Sequence, residues 1–188
     1  MSFFSLNKPS FAIPYLLFFA SLAHAGDRLV GTGGVTQIEG AGGGGLMPWA
    51  LISGYGTDAQ AGASAFYSHA ETRDEFKLDT YGVAIGFNNR VELSASQARF
   101  ELVAPLAGEK IRLNTLGVKV RLVGDAIYDQ DSWLPQVSMG IQYKYNEDYN
   151  FVPKLVGAKH NDGFDLYLAC CCAFKITQSC ALNFTQAF

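Results

Sequence analysis

The chain is poor in the side chains that acid–base and metal chemistry need. Among 188 residues there are 3 histidines and 4 cysteines, the latter confined to Cys170, Cys171, Cys172 and Cys180. Three consecutive cysteines on a strand cannot turn toward one metal, because alternate side chains point apart, and the spacing fits no zinc pattern. In an oxidising compartment a bond from one of them to Cys180 is open, beside the plainer reading of incidental thiols. No lysine lies between Lys8 and Lys77. The run Gly40-Ala41-Gly42-Gly43-Gly44-Gly45 therefore cannot be a P-loop. It matches G-x-G-x-x-G on paper, but no helical period follows at Leu46-Met47-Pro48-Trp49 to seat a pyrophosphate. An excess of positive charge is also missing. With 14 Lys and Arg against 17 Asp and Glu, the net charge of −3 argues against the basic face that nucleic acid requires.

The remaining polar constellations are thin. Ser68 and His69 are neighbours that a strand would send to opposite faces, and His160 has no adjacent nucleophile. Asp129-Gln130-Asp131-Ser132 lacks the glycine and distal glutamate of an EF-hand loop and reads as a solvated turn. These absences predict a protein that is not an enzyme, with no catalytic residue, metal or cofactor.

Long apolar runs are also scarce. The one clear case is Phe11 to Leu22, preceded by Lys8 and followed by Ala23-His24-Ala25. A basic start, a short apolar stretch and an A-x-A site predict a signal peptide over 1–25, cut after Ala25. About a dozen residues interrupted by Pro14 fall short of the roughly twenty that a helical span needs. After Ala25 no run reaches that length. The exported chain is then either soluble or a β-barrel, since only helices and closed barrels satisfy the backbone in lipid.

What the sequence does have is glycine and alternation. Residues 26–45 hold nine glycines, and 26–48 read as a Gly-rich segment that lies inside a lumen or at a barrel mouth. From Trp49 to Phe188 the chain reads as a succession of strands. The clearest is Leu134 to Asn146. There Val137, Met139, Ile141, Tyr143 and Tyr145 fall on one face, and Gln136, Ser138, Gly140, Gln142, Lys144 and Asn146 on the other. Tyr81, Val83, Ile85 and Phe87 alternate with Thr80, Gly82, Ala84 and Gly86. Asn88-Asn89-Arg90 supplies a turn. Val91, Leu93 and Ala95 continue the apolar face, then the phase breaks near Gln97, where Phe100 and Leu102 hold the opposite parity and predict a bulge or a curved strand end. Lys110 to Leu122 sets Leu116, Val118, Val120 and Leu122 against Gly117, Lys119 and Arg121. Weaker candidates are Trp49 to Tyr55, Ala61 to Ala70, Gly163 to Ala169 and Ser179 to Phe188. The count comes to about eight.

Strands of about ten residues suit a tilted crossing of a bilayer better than the five or six usual in soluble sheets. The fold predicted is all-β, an antiparallel up-and-down transmembrane barrel. Its lipid-facing set is Tyr81, Val83, Ile85, Phe87, Val118, Val120, Val137, Met139, Ile141 and Tyr143. Charge facing lipid costs about 2–4 kcal/mol at the midplane. Lys119, Arg121 and Lys144, with Gln136 and Gln142, are therefore expected to line the lumen, either favouring anionic solutes or pairing with Glu92 and Asp165 to fill a narrow interior.

The stretches GGVTQIEGAGGGGLMPWALISGYG (33–56) and GDAIYDQDSWLPQVSMGIQYKYN (124–146) resemble the DUF3034 proteins. The resemblance runs from about Gly26 to Leu168. It implies an outer-membrane barrel of a Gram-negative bacterium, and brings no activity and no catalytic residues with it. It also implies further strands after the point where this sequence stops, so the chain is expected to be C-terminally shortened. Leu182, Phe184 and Phe188 resemble the terminal aromatic signature read by the barrel-assembly machinery. The function expected is a passive channel or transporter for small solutes in the outer membrane. The alternatives are a closed structural or adhesive barrel and an exported soluble β-sheet binding protein.

Overall fold

A computed structural model describes residues 36–72, 76–102, 110–129, 133–148, 157, 159–171 and 179–186. The leader expected at 1–25, and Cys172, Asp131 and Ser132, lie outside the described residues. Every element among the described residues is a β-strand: β1 (Gly43–Gly44), β2 (Met47–Pro48), β3 (Ala61–Glu71), β4 (Lys77–Phe87), β5 (Val91–Glu101), β6 (Lys110–Val123), β7 (Gln136–Asn146), β8 (Asp162–Cys171) and β9 (Ser179–Gln186). β3 to β9 form one seven-stranded sheet in chain order, each strand antiparallel to the next. β1 and β2 pair separately, Gly43 with Pro48. No described helix is long and apolar enough to cross a membrane.

The β4–β5 turn shows how local sequence sets this meander. Asn88 and Asn89 take positive φ, 50° and 47°. Asparagine tolerates that region, and a left-handed pair matches the twist of the flanking strands. The turn is closed by Arg90 N–H donating to Phe87 O at 2.9 Å. It fixes a register that runs unbroken from Phe87↔Val91 to Lys77↔Glu101.

Two expectations fail. Trp49 to Tyr55 is not a strand of the sheet. Its Ser53 N–H, Trp49 O and Ala50 O are instead bound by side chains of β5, β6 and β7 respectively. Nor does β5 bulge near Gln97, since its pairing with β4 and β6 is continuous from Val91 to Glu101. The register shift in the sheet falls in β6, between Arg121 and Val123. The change of parity in β5 therefore reflects a change in the surroundings of the two faces. Phe100 sits in register with Leu78 and Ile111 and stacks on Phe76, ring centres 5.9 Å apart and planes 4° from parallel. At this end the apolar side chains are on one face and the charges on the other, the reverse of the opposite end.

The register resolves the outward face into rows. One runs Tyr67, Tyr81, Gln97, Asn114, Tyr145. Toward the β4–β5 turn come Ala65, Val83, Ala95, Leu116, Tyr143, Phe164, then Ala63, Ile85, Leu93, Val118, Ile141, Leu166, then Ala61, Phe87, Val91, Val120, Met139, Leu168. On the far side of the tyrosine row come His69, Asp79, Arg99, Arg112, then Glu71, Lys77, Glu101, Lys110. The outward face is thus apolar over three successive rows, aromatic and amide at the next, and charged beyond it.

The other face is the buried one, and it is polar. Thr80, Glu92, Ser94, Thr115, Lys119, Arg121, Gln136, Ser138 and Gln142 are all buried there. What covers them is the segment 36–60, whose Ala41, Ala50, Leu51 and Ile52 are buried against them. Glycines permit the close approach. A Cβ on Gly86 would stand 2.1 Å from Ser53 O, and one on Gly62 2.1 Å from Gly54 O.

Candidate functional site

The inner face of the sheet and the segment laid on it form the candidate site, built around a charged pair. Glu92 of β5 and Lys119 of β6 are register partners. Lys119 Nζ lies 3.0 Å from Glu92 Oε2, with side chains only 1% and 0% exposed. Two charges withdrawn from water need every hydrogen-bonding position filled, and the inner segment fills them. Gly42 N–H donates to Glu92 Oε1 at 2.8 Å and Ser53 N–H to Oε2 at 2.7 Å. Lys119 Nζ donates to Gly42 O at 2.9 Å and to Trp49 O at 3.2 Å. The next inward position, Gly140, is also in register with Lys119. Having no side chain it admits the ring of Tyr167, whose Cζ would be 2.3 Å from a Cβ there.

Three further anchors surround this pair. Gln136 Nε2 and Ser138 Oγ both donate to Ala50 O, at 2.8 and 2.6 Å. Arg121 pairs with Asp58 of the inner segment at 3.0 Å and with Asp125 at 3.0 Å. Lys144 pairs with Glu39 of the inner segment and with Asp165 of β8, the latter at 2.6 Å. Each of the three inner-face cations thus carries one anion of the sheet or its loops, and each also binds the inner segment. Gln142 Nε2 and Gln136 Oε1 are buried without a hydrogen-bond partner among the described residues.

Of the residues expected to line an interior, Lys119, Arg121, Gln136 and Gln142 are buried on this face and Lys144 is half-buried on it. The set expected to face lipid lies on the other face. There Tyr81, Val83, Ile85, Phe87, Val118, Met139 and Ile141 are exposed, and Val120, Val137 and Tyr143 intermediate. The sequence did not single out Glu39, Gly42, Ala50, Ser53, Asp58 or Tyr167. Most of them act through backbone atoms or from a glycine-rich stretch without periodicity, so no pattern marked them.

The outward charged rows hold their own network. His69 Nδ1 and Tyr67 OH both meet Asp79 Oδ1, at 2.7 and 2.8 Å. Arg112 grips Asp148 through two bonds of 2.9 and 3.0 Å. That guanidinium holds the Asp148 carboxyl below the usual carboxylate range. Among the described residues no group of three or more His, Cys, Asp or Glu is placed to hold a metal ion.

Comparison with known proteins places the chain in a family. Residues 32–186 fit the model of a family described as protein of unknown function (DUF3034). No curated protein and no solved structure matches.

Proposed function

We propose a function for a chain that belongs to the DUF3034 family: it forms the wall of an outer-membrane β-barrel, with residues 36–60 as an internal plug governing the passage of small solutes. One observation carries this reading, the inversion of polarity between the two faces. A soluble sheet buries its apolar face, whereas here Val83, Ile85, Leu116, Val118, Ile141 and Leu166 are exposed while Lys119, Glu92 and Gln136 are buried. Exposed apolar rows of this extent call for a covering, and no described element supplies one. A bilayer does. Along β7 the apolar stretch from Val137 to Tyr145 measures about 27 Å at ~3.4 Å per residue. At a tilt of about 40° it covers roughly 20 Å of hydrocarbon, close to the band of about 25 Å seen in such barrels. Tyr67, Tyr81 and Tyr145 would then sit at the interface, and the rows of His69 and Glu71 in water.

The leader expected over 1–25 would send the chain to the export pathway, and a barrel wall of this kind needs outer-membrane lipid and the barrel-assembly machinery as partners. On the inside, the wall cations meet backbone carbonyls and carboxylates of the plug, and among the described residues Lys119 is buried beneath it. The resting state is therefore closed, and passage of solutes requires the plug to leave Glu92 and Lys119. A closed structural barrel is the second reading, favoured by the same buried pair.

Conductance in planar bilayers separates them. The intact chain is expected to be nearly silent, and a variant lacking 36–60 to conduct. Silence of both in a folded, inserted protein favours the structural barrel. Equal conductance of both removes the plug from the account.

A further inference from the structure

The last hairpin places two cysteines opposite each other. In the β8–β9 register Cys170 is paired with Cys180, and Cys171 with Ser179. Residues directly opposite in an antiparallel pair have Cα atoms about 4.5–5.5 Å apart, inside the span of roughly 4.4–6.8 Å that a disulfide bridges. Neighbours on a strand send their side chains to opposite faces. Cys170 is in register with Val137 of β7 and Cys171 with Gln136, so the two thiols belong to different faces. Of this adjacent pair, only Cys170 stands opposite Cys180.

We propose that Cys170 and Cys180 form a cross-strand disulfide that fastens β9, the last of the described strands, to β8. The bond needs an oxidising compartment and in the cell rests on the export reading above. The pairing itself does not. With oxidised glutathione as the oxidant, one cysteine thiolate attacks a glutathione sulfur, forming a mixed disulfide and releasing one glutathione thiolate. The second cysteine thiolate displaces the other glutathione. Two protein thiols are oxidised, one glutathione disulfide is reduced to two thiols, and the two protons lost pass to the glutathione thiolates.

The experiment takes the purified, folded full chain in detergent, equilibrates it with oxidised and reduced glutathione, and traps thiols with N-ethylmaleimide. Lys175 lies between the two cysteines, so trypsin releases them on separate peptides that stay joined only through the bond. The reactive thiol count is expected to fall from 4 to two, relative to the sequence content. The joined peptides should persist in Cys171→Ser and vanish in Cys170→Ser. The double variant Cys171→Ser/Cys172→Ser keeps only the proposed pair and should still give the joined mass. Linkage of Cys180 to Cys171 or Cys172, or 4 trapped thiols in the folded chain, overturns the proposal. A bond that forms with glutathione but is absent from chain isolated from cells upholds the pairing and counts against export.

Discussion

Lys119 and Glu92 face each other across β5 and β6 with their charged atoms 3.0 Å apart, and each also binds backbone of the inner segment. Lys119→Met strands a buried carboxylate and is expected to cost about 3–5 kcal/mol. Replacing both residues by apolar ones removes the orphan charge. It leaves Gly42 and Ser53 N–H without their acceptor, at about 1–3 kcal/mol for each such group. The double variant should therefore recover only part of the loss. A double-mutant cycle on urea midpoints checks this, and full recovery would mean that the inner segment does not lean on the pair.

Gly140 is predicted to resist even one added methyl. Its Cβ would collide with the Tyr167 ring at 2.3 Å, so Gly140→Ala should destabilise by about 1–3 kcal/mol as overpacking. Trimming the ring with Tyr167→Leu should return part of that. The melting temperatures of the two single variants and the double variant decide it.

Outward apolar positions should reject charge according to their row. Val83→Arg and Ile141→Arg place a cation in the apolar band at about 2–4 kcal/mol near the midplane and should sharply reduce the membrane-inserted fraction. Thr72→Arg, exposed beyond the charged rows, should be neutral. Inner-face positions make poor controls, because Ser138 is fully buried and a side chain at Gly82 would meet Ala95 O at 2.7 Å.

The Arg112–Asp148 contact gives a pH dependence of known sign. The Asp148 carboxyl is held below its ordinary range by hydrogen bonds from Arg112. A carboxylate with a lowered folded-state pKa contributes stability that is fully present above its unfolded value of about 3.9 and lost as pH falls through the folded value. The stability difference between wild type and Asp148→Asn should be constant from neutral pH down to about 5 and shrink below about 4. Denaturant titrations at stepped pH measure it, and a difference that grows on acidification would reverse the sign.

The strands were legible because period-2 alternation is a local signal. Tyr81 to Phe87 and Val137 to Tyr145 announce their faces without reference to any partner. The inner segment was not, since Gly42, Ala50 and Ser53 bind the wall through backbone atoms that every residue possesses. Trp49 to Tyr55 has the apolar content of a strand, but its Ala50, Leu51 and Ile52 are buried beneath a polar sheet face instead of within a sheet. At Phe100 the parity change was visible and its cause was not. Alternation records which side chains share a face. It does not record what that face meets, and here the surroundings exchange between the two ends of β5.

Exposed apolar rows on the wall of a closed barrel must face a bilayer. The most direct test is fractionation of cells expressing the chain, followed by gel mobility of the extracted protein with and without boiling. Recovery in the outer-membrane fraction, resistance to carbonate extraction, and a band that changes mobility on heating are expected. A chain released into the soluble exported fraction without detergent, with one mobility at both temperatures, would contradict it.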